Sequence, residues 1–334
     1  MDKVAALKLE ERRQLFQETA ARRGMSPAVV EKDFWVCWIL KQIYSNPQLQ
    51  SHIVFKGGTS LSKVFGLIER FSEDIDLILD WQLLGYGPGQ QDPYQYQPSR
   101  TQQDRFSEQF NLRAARYIAE TLCPQLDRQF RRCPGVAAMV DADQPQVINV
   151  QYPAAFPPDY LRPEVQLEIG PLASFVPHGS YLIQPYAAQV FPATFDVPDC
   201  PVVAIKAERT FWEKATILHQ QAHRQEPIPV RYSRHYYDMH RLAMSAVKSS
   251  SLANLKLLED VVAFKDRFYR CPWARYDLAR PGTFRLIPNA DRLSELRADY
   301  RQMTVMIFGP IPEFEHIVAS LKLLEKEING LPIK

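Results

Sequence analysis

The chain has 334 residues, with 46% hydrophobic and 23% charged residues and a formal net charge of +2. That length accommodates two domains or one core with a large extension, and the composition is that of an ordinary globular protein. The near-neutral balance permits a nucleic-acid partner without arguing for one, and the five scattered cysteines (Cys37, Cys123, Cys133, Cys200 and Cys271) have no Cys-x-x-Cys spacing, which indicates neither a disulfide framework nor a cysteine zinc site. The charged start MDKVAALKLEERRQLF has no signal-peptide core, and no run reaches the roughly 18 apolar residues of a membrane span, so the expected location is the reducing cytoplasm. In chain order, residues 4 to 23 read as an amphipathic helix ended by Gly24. Ser26 and Pro27 then start a largely apolar, buried helix, whose Glu31-Lys32-Asp33 reads locally as a solvated charged turn. Val54-Phe55 ends a buried strand, Gly57-Gly58 turns the backbone tightly, and Thr59 is the expected N-cap of a helix through Phe65. The strand EDIDLIL follows. A surface loop is expected from Gln82 to Gln103, then helix over residues 104 to 131 carrying Arg105, Arg113, Arg116 and Arg128. Strands are expected near Val136–Val140 and Val147–Tyr152, and another at Glu164–Ile169 after a proline-rich crossing. Residues 171 to 201 read as irregular, with helix from Val202 and again from Arg234. Residues 252 to 273 and 290 to 328 complete a helical C-terminal part.

The chemistry concentrates in two places. On the strand EDIDLIL, Asp74 and Asp76 project to one face while Ile75 and Leu77 pack behind. Adjacent carboxylates repel, and a divalent cation between them relieves this; hard oxygen ligands with phosphates suit Mg²⁺, or Mn²⁺ in its place. Glycines feeding a helix start suit a phosphate. Either feature alone has a plainer reading, since Gly-Gly is most often only a turn and Asp-x-Asp is common on solvated edges and in metal-dependent glycosyltransferases. The strand EVQLEIG offers Glu168, with Glu164 as competitor and a plain exposed face as the alternative. On the helices, Lys214 and Asp238 read first as a helix–helix salt bridge, and Lys206 is a weaker phosphate ligand. His219 and His223 have a zinc-compatible spacing but no metalloprotease Glu follows His219, so a solvated helix end is expected. Lys265, Arg267, Arg270, Arg275, Arg280 and Arg285 interleave with Phe264, Phe268, Tyr269, Trp273, Tyr276 and Phe284; RNA stacking and an ordinary aromatic core explain that string equally.

The combination GGTSLSK followed by RFSEDIDL resembles the active-site core of the polymerase-β-type nucleotidyltransferase superfamily, and within it the AbiEii/AbiGii toxin branch that includes the MenT-like toxins. The likeness runs discontinuously from about residue 30 to 245. The family's Lys-bearing helix and Arg-Asp-x-x-Asp helix match Glu213-Lys214 and Arg234 to Asp238, with His235 in place of the first Asp. The resemblance implies an α/β (α+β) fold: a nucleotidyltransferase-type mixed sheet flanked by helices in residues 1–195, with a helical C-terminal part, 196–334, closing the active-site cleft. It implies an enzyme that moves an NMP from an NTP to an acceptor hydroxyl and releases pyrophosphate. Asp74, Asp76 and Glu168 would hold Mg²⁺, with Glu168 nearer the acceptor, where it would help deprotonate the hydroxyl. Gly57, Gly58, Thr59, Lys63 and Ser72 would hold the nucleotide, with Arg70 nearby. Lys214 would offset charge on the departing pyrophosphate, and Asp238 would position Lys214 or the acceptor. The implied acceptor is the tRNA 3′ end, the implied partner an antitoxin, and the implied setting phage defence. Transfer to a protein or small molecule, and a non-catalytic nucleotide-binding module, are the alternatives.

Overall fold

The computed structural model describes residues 1–72, 74–87, 92–94, 99–157 and 162–332. The chain forms two compact units, residues 1–64 with 72–205, and residues 65–71 with 206–334.

The first unit is built on a seven-stranded mixed sheet. Its strands are β1 (Ile53–Lys56), β2 (Asp74–Leu79), β3 (Ala137–Val140), β4 (Val147–Gln151), β5 (Glu164–Gly170), β6 (His178–Ile183) and β7 (Cys200–Ile205), in spatial order β3-β4-β5-β2-β1-β7-β6. β2 lies at the centre, antiparallel to β1 and parallel to β5. One face of β2 carries the buried Ile75 and Leu77, and the other the half-buried Asp74 and Asp76, the alternation expected of a strand with one apolar face. Helices α1 (Asp2–Ala5), α2 (Leu9–Arg23), α3 (Pro27–Tyr44), α4 (Gly57–Lys63), α5 (Arg100–Tyr117), α6 (Cys123–Phe130) and α7 (Tyr186–Val190) flank the sheet. α3 starts at Pro27 as expected and packs against β5 and β7, with Phe34 to Leu40 wholly buried.

The second unit is helical: α8 (Ala207–His223), α9 (Ser233–Ala243), α10 (Val247–Leu252), α11 (Leu255–Phe268), α12 (Ala290–Met303) and α13 (Phe314–Asn329). α8 packs against α9, α10 and α11, and α9 against α12 and α13. The short segment Phe65–Phe71 belongs here because its backbone is stitched to the loop after α12. Phe71 N–H donates to the Met306 carbonyl, Phe308 N–H donates to the Glu69 carbonyl, and Arg70 pairs with Ile307 in an isolated antiparallel bridge.

Several expectations need correcting. The Val202 run is the strand β7, and only Ala207 opens the helix; burial alternates from Cys200 to Ala204, the period of a strand, and β1 and β6 pair with it on either side. The stretch from 171 to 201 also contains β6 and α7. Residues 290 to 328 form two helices, broken between Met303 and Phe314 around three prolines and glycines, Gly309-Pro310 and Pro312. Of the expected loop at 82–103, residues 88–91 and 95–98 lie outside the described residues; Trp81–Leu84 is a 3-10 turn, and α5 begins at Arg100. No described helix is long and apolar enough to cross a membrane.

Candidate active site on the mixed sheet

The register of the central strands places the acidic residues. β2 and β5 pair Asp74 with Gln166 and Asp76 with Glu168, and β1 and β2 pair Lys56 with Asp76. Paired residues in adjacent strands share a face, so Lys56, Asp76 and Glu168 form one row across three strands. Asp74 begins the next row, which continues through Gln166 to Asn149. There the Gln166 amide donates to Asn149 Oδ1 at 3.0 Å, and the Asn149 amide donates to Asp141 Oδ2 at 2.8 Å. Glu164 lies four residues from Glu168, opposite Gln151 and outside the span paired with β2, and is 3.8 Å from Arg162. Of the two glutamates, only Glu168 is level with Asp76. Lys56, Asp76, Glu168 and Gly170 line a cleft of about 430 Å³ whose outer wall is the β3–β4 turn, Asp143 to Val147.

The Gly-Gly turn serves this row directly. Gly57 has φ +79°, and a β-carbon placed on it would lie 1.9 Å from Asp76 Oδ2. Only glycine accommodates both the left-handed backbone and a carboxylate lying against it. The chain passes from β1 into α4 without an intervening loop, so Lys56, not Thr59, is the N-cap, and the helix ends at Lys63. The Thr59 hydroxyl instead donates to the Asp74 carbonyl at 2.5 Å, tying the helix to the start of the acidic strand. Ser72 is half-buried just ahead of that strand, and Gly58 is buried in the first turn of α4.

Lys63 is buried at the end of α4. Its ammonium lies 2.6 Å from Asp33 and 3.9 Å from the centre of the Tyr186 ring. Burial alone would lower its pKa; Asp33 reverses this and raises it, so the ammonium is committed to Asp33. Asp33 also accepts from Tyr186 N–H at 2.7 Å, and Glu31 accepts from Ala155 N–H at 2.8 Å. Glu31-Lys32-Asp33 is therefore not a solvated turn: all three residues are buried, and Asp33 anchors the helix that follows the Gly-Gly turn.

In the second unit Asp238 is fully buried. Arg70 Nε and Nη2 donate to its two oxygens at 2.6 and 2.7 Å, and Lys214 Nζ lies 2.7 Å from Oδ2. Burial opposes ionisation here, but Arg70 and then Lys214 outweigh it and hold Asp238 well below the usual carboxylate range. His235, where the family pattern has an acid, is kept neutral first by desolvation and then by Lys214. The His219–His223 pair makes no metal site: His219 Nε2 donates to the Arg275 carbonyl at 2.9 Å and Nδ1 accepts from Arg285 N–H at 3.0 Å. Of the aromatic string, Phe264, Phe268, Tyr276 and Phe284 are buried core, leaving Tyr269 and Trp273 exposed.

The sequence reading missed Lys56 and the pairing of Arg70 with Asp238. Lys56 could have been found, since it shares the alternation of β1 and immediately precedes Gly57; nothing local marks Arg70. The donor chemistry of Asp74, Asp76 and Glu168 fits Mg²⁺, which takes one or two protein carboxylates and completes its shell with water and substrate phosphates. Among the described residues, no group of three or more His, Cys, Asp or Glu, these three included, is gathered closely enough to hold a metal ion.

Comparison with known proteins bears on this geometry. The family model for the nucleotidyl transferase AbiEii toxin of type IV toxin–antitoxin systems matches residues 38–320. Among solved structures, the chain is similar to MenT4, nucleotidyltransferase toxin Rv2826c from Mycobacterium tuberculosis H37Rv, at 19% identity and a TM-score of 0.50, covering 96% of this chain and 90% of that one. It also matches JHP933 from Helicobacter pylori at 15% identity and a TM-score of 0.44, covering 91% and 94%. Comparison with curated protein sequences finds no match. The MenT4 likeness shows the fold, a mixed seven-stranded sheet with a helical C-terminal part. Because the family model spans most of its length, the chain belongs to the AbiEii nucleotidyl transferase toxin family, and it is a nucleotidyltransferase toxin of a type IV toxin–antitoxin system.

Proposed function

We propose that this toxin transfers an NMP from an NTP to the 3′-terminal hydroxyl of a tRNA, using the face of the sheet that carries Lys56, Asp76 and Glu168. The observation that carries this reading is the Lys56–Asp76–Glu168 row lying against Gly57, which gathers two carboxylates and a cation where the backbone turns from β1 into α4. Asp74, Asp76 and Glu168 would hold Mg²⁺, or Mn²⁺; when bound, the ion neutralises phosphate charge and favours ionisation of the acceptor oxygen. Glu168, exposed at the edge of the row, accepts the proton of the acceptor hydroxyl. Lys56 offsets charge on the phosphates, and Gly57, Gly58 and Ser72 hold the triphosphate with backbone N–H and hydroxyl donors. Thr59 and Lys63 act at one remove: the Thr59 hydroxyl fixes the Asp74 backbone, and Lys63, through Asp33, fixes α4. Lys214 also serves the reaction, as the family pattern implies, in the orientation its pair with Asp238 imposes. The partner is a cognate antitoxin, as for a type IV toxin.

The test separates acceptor from chemistry. The protein, Mg²⁺ and each α-labelled NTP are incubated with intact tRNA and with tRNA whose terminal ribose has been oxidised with periodate. Label on intact tRNA alone is the expected result. Equal label on both, or label confined to protein, overturns the 3′-end assignment.

A further inference from the structure

A second cavity lies toward the other end of β1 and β2, beyond a buried apolar row. Val54 and Ile78 pair one step along β1 and β2 from Lys56 and Asp76, and Ala173 packs over them with Phe175 against the cluster. Past this apolar row lies a cavity of about 690 Å³, lined by Trp81, Tyr94, Phe175, His178, Asp80 and Asp92 among others. Asp80 is four residues beyond Asp76, about 13 Å along an extended strand. The cleft and the cavity are separated by the Gly170–Ala173 turn, and Trp81 Nε1 donates to the Pro171 carbonyl at 2.5 Å, which fixes the indole beside that turn.

Two features define what this cavity accepts. Its walls are aromatic: Trp81 and Tyr94 rings are 4.9 Å apart and Phe175 and His178 rings 5.5 Å apart, with Tyr94 half exposed. Its charged groups are carboxylates, which repel a phosphate and accept N–H donors. Asp80 is already satisfied, accepting from Gln82 N–H at 2.9 Å with His52 Nδ1 2.9 Å from its other oxygen. Asp92 Oδ1 accepts from Tyr94 N–H at 2.8 Å, and its second oxygen takes no hydrogen bond among the described residues. His178 Nδ1 donates to the Phe175 carbonyl at 2.6 Å, which leaves Nε2 as an acceptor.

We propose that this cavity is a nucleobase site: a base stacks against Tyr94 and Trp81 and donates its N–H groups to Asp92 and His178, while its sugar-phosphate crosses over the Gly170–Ala173 turn toward Asp76 and Glu168. The proposal rests on the nucleotidyl-transfer reading for its position. The base comes from the NTP or from the terminal nucleotide of the acceptor, and both present the same chemistry.

The closing experiment uses Tyr94→Ala and Asp92→Asn in the full-length protein, each first checked for an unchanged thermal midpoint. Binding is measured for the four ribonucleosides, the four NTPs with Mg²⁺, inorganic tripolyphosphate, and a short RNA with either a normal or an abasic 3′-terminal nucleotide. Base–aromatic stacking predicts that Tyr94→Ala weakens at least one nucleoside by roughly 5-fold or more and leaves tripolyphosphate unchanged. A matching loss for NTPs assigns the base to the donor. A loss for the normal RNA end, absent for the abasic end, assigns it to the acceptor. Nucleosides that bind both variants as they bind the wild type overturn the proposal, as does competition by tetramethylammonium in place of nucleosides, which would mark a site for a cationic partner. Failure of transfer with nucleoside binding intact and sensitive to Tyr94 would instead count against the reaction, not the site.

Discussion

Replacing Gly57 by alanine perturbs the site at one atom. The new β-carbon would start 1.9 Å from Asp76 Oδ2, and β-carbons essentially never approach a heavy atom within 3.0 Å, so the carboxylate must retreat by the difference or the strand must shift. The backbone adds to this, because an L-residue at φ +79° costs about 1–2 kcal/mol that glycine does not. A displacement on the order of 1 Å at a reacting group costs about 10²-fold in rate. Single-turnover transfer from an α-labelled NTP should therefore fall by about that factor in Gly57→Ala, while urea unfolding loses only about 1–3 kcal/mol. Gly66→Ala is the control, since its φ is +61° and a β-carbon there meets nothing within 4 Å; it carries the same backbone cost without the steric one. Transfer by Gly57→Ala within a few-fold of Gly66→Ala would refute the idea that the glycine exists to seat Asp76.

The other predictions concern neighbouring groups. Glu168→Gln should reduce transfer by about 10²-fold while Glu164→Gln leaves it within a few-fold, because only Glu168 is level with Asp76; equal effects in the same assay would break the assignment made from strand register. Asp238→Asn should destabilise the second unit by about 3–5 kcal/mol in denaturant unfolding, since it strands the buried Arg70 and Lys214 cations; a loss under 1 kcal/mol would mean that water reaches them. The second unit should also weaken below neutral pH. His219 and His240 are both pushed down to about 4, mainly by burial, from an unfolded value near 6.5. A lowered folded pKa means that the unfolded chain binds more protons in this window, so stability is full above about pH 6.5 and declines as pH falls toward 4, by at most about 3 kcal/mol for His219 and by less for His240. Unfolding free energies measured between pH 7 and 4 should show that slope, and His219→Gln should reduce it; a flat profile in the wild type would show that the histidines are hydrated.

Much of the fold was legible because its signals are local. The alternation in EDIDLIL, the Ser26-Pro27 start of α3 and the helical periods around Lys214 and Asp238 each depend on residues a few positions apart. The pairing of Asp76 with Glu168 was not legible, because it depends on the register of two parallel strands whose paired residues lie 92 positions apart, and alternation alone left Glu164 equally placed. Glu31-Lys32-Asp33 misled for a related reason. Its partners, Ala155, Lys63 and Tyr186, are distant in sequence, and a charged helical turn reads as solvated until those partners are brought to it. The Val202 run shows the limit of periodicity itself, since the few residues between Pro201 and the helix can satisfy a strand or a helix until β1 and β6 claim them on either side.

The most direct measurement is transfer of label from an α-labelled NTP in the presence of Mg²⁺ and total tRNA, run beside the Asp74→Ala/Asp76→Ala double variant. Label should move to tRNA with at least one NTP, with pyrophosphate released, and the variant should show none while keeping its thermal midpoint. Label that moves equally well in the double variant, or a wild-type protein that binds no NTP, would contradict the assignment of the Gly57 to Asp76 segment as the active site.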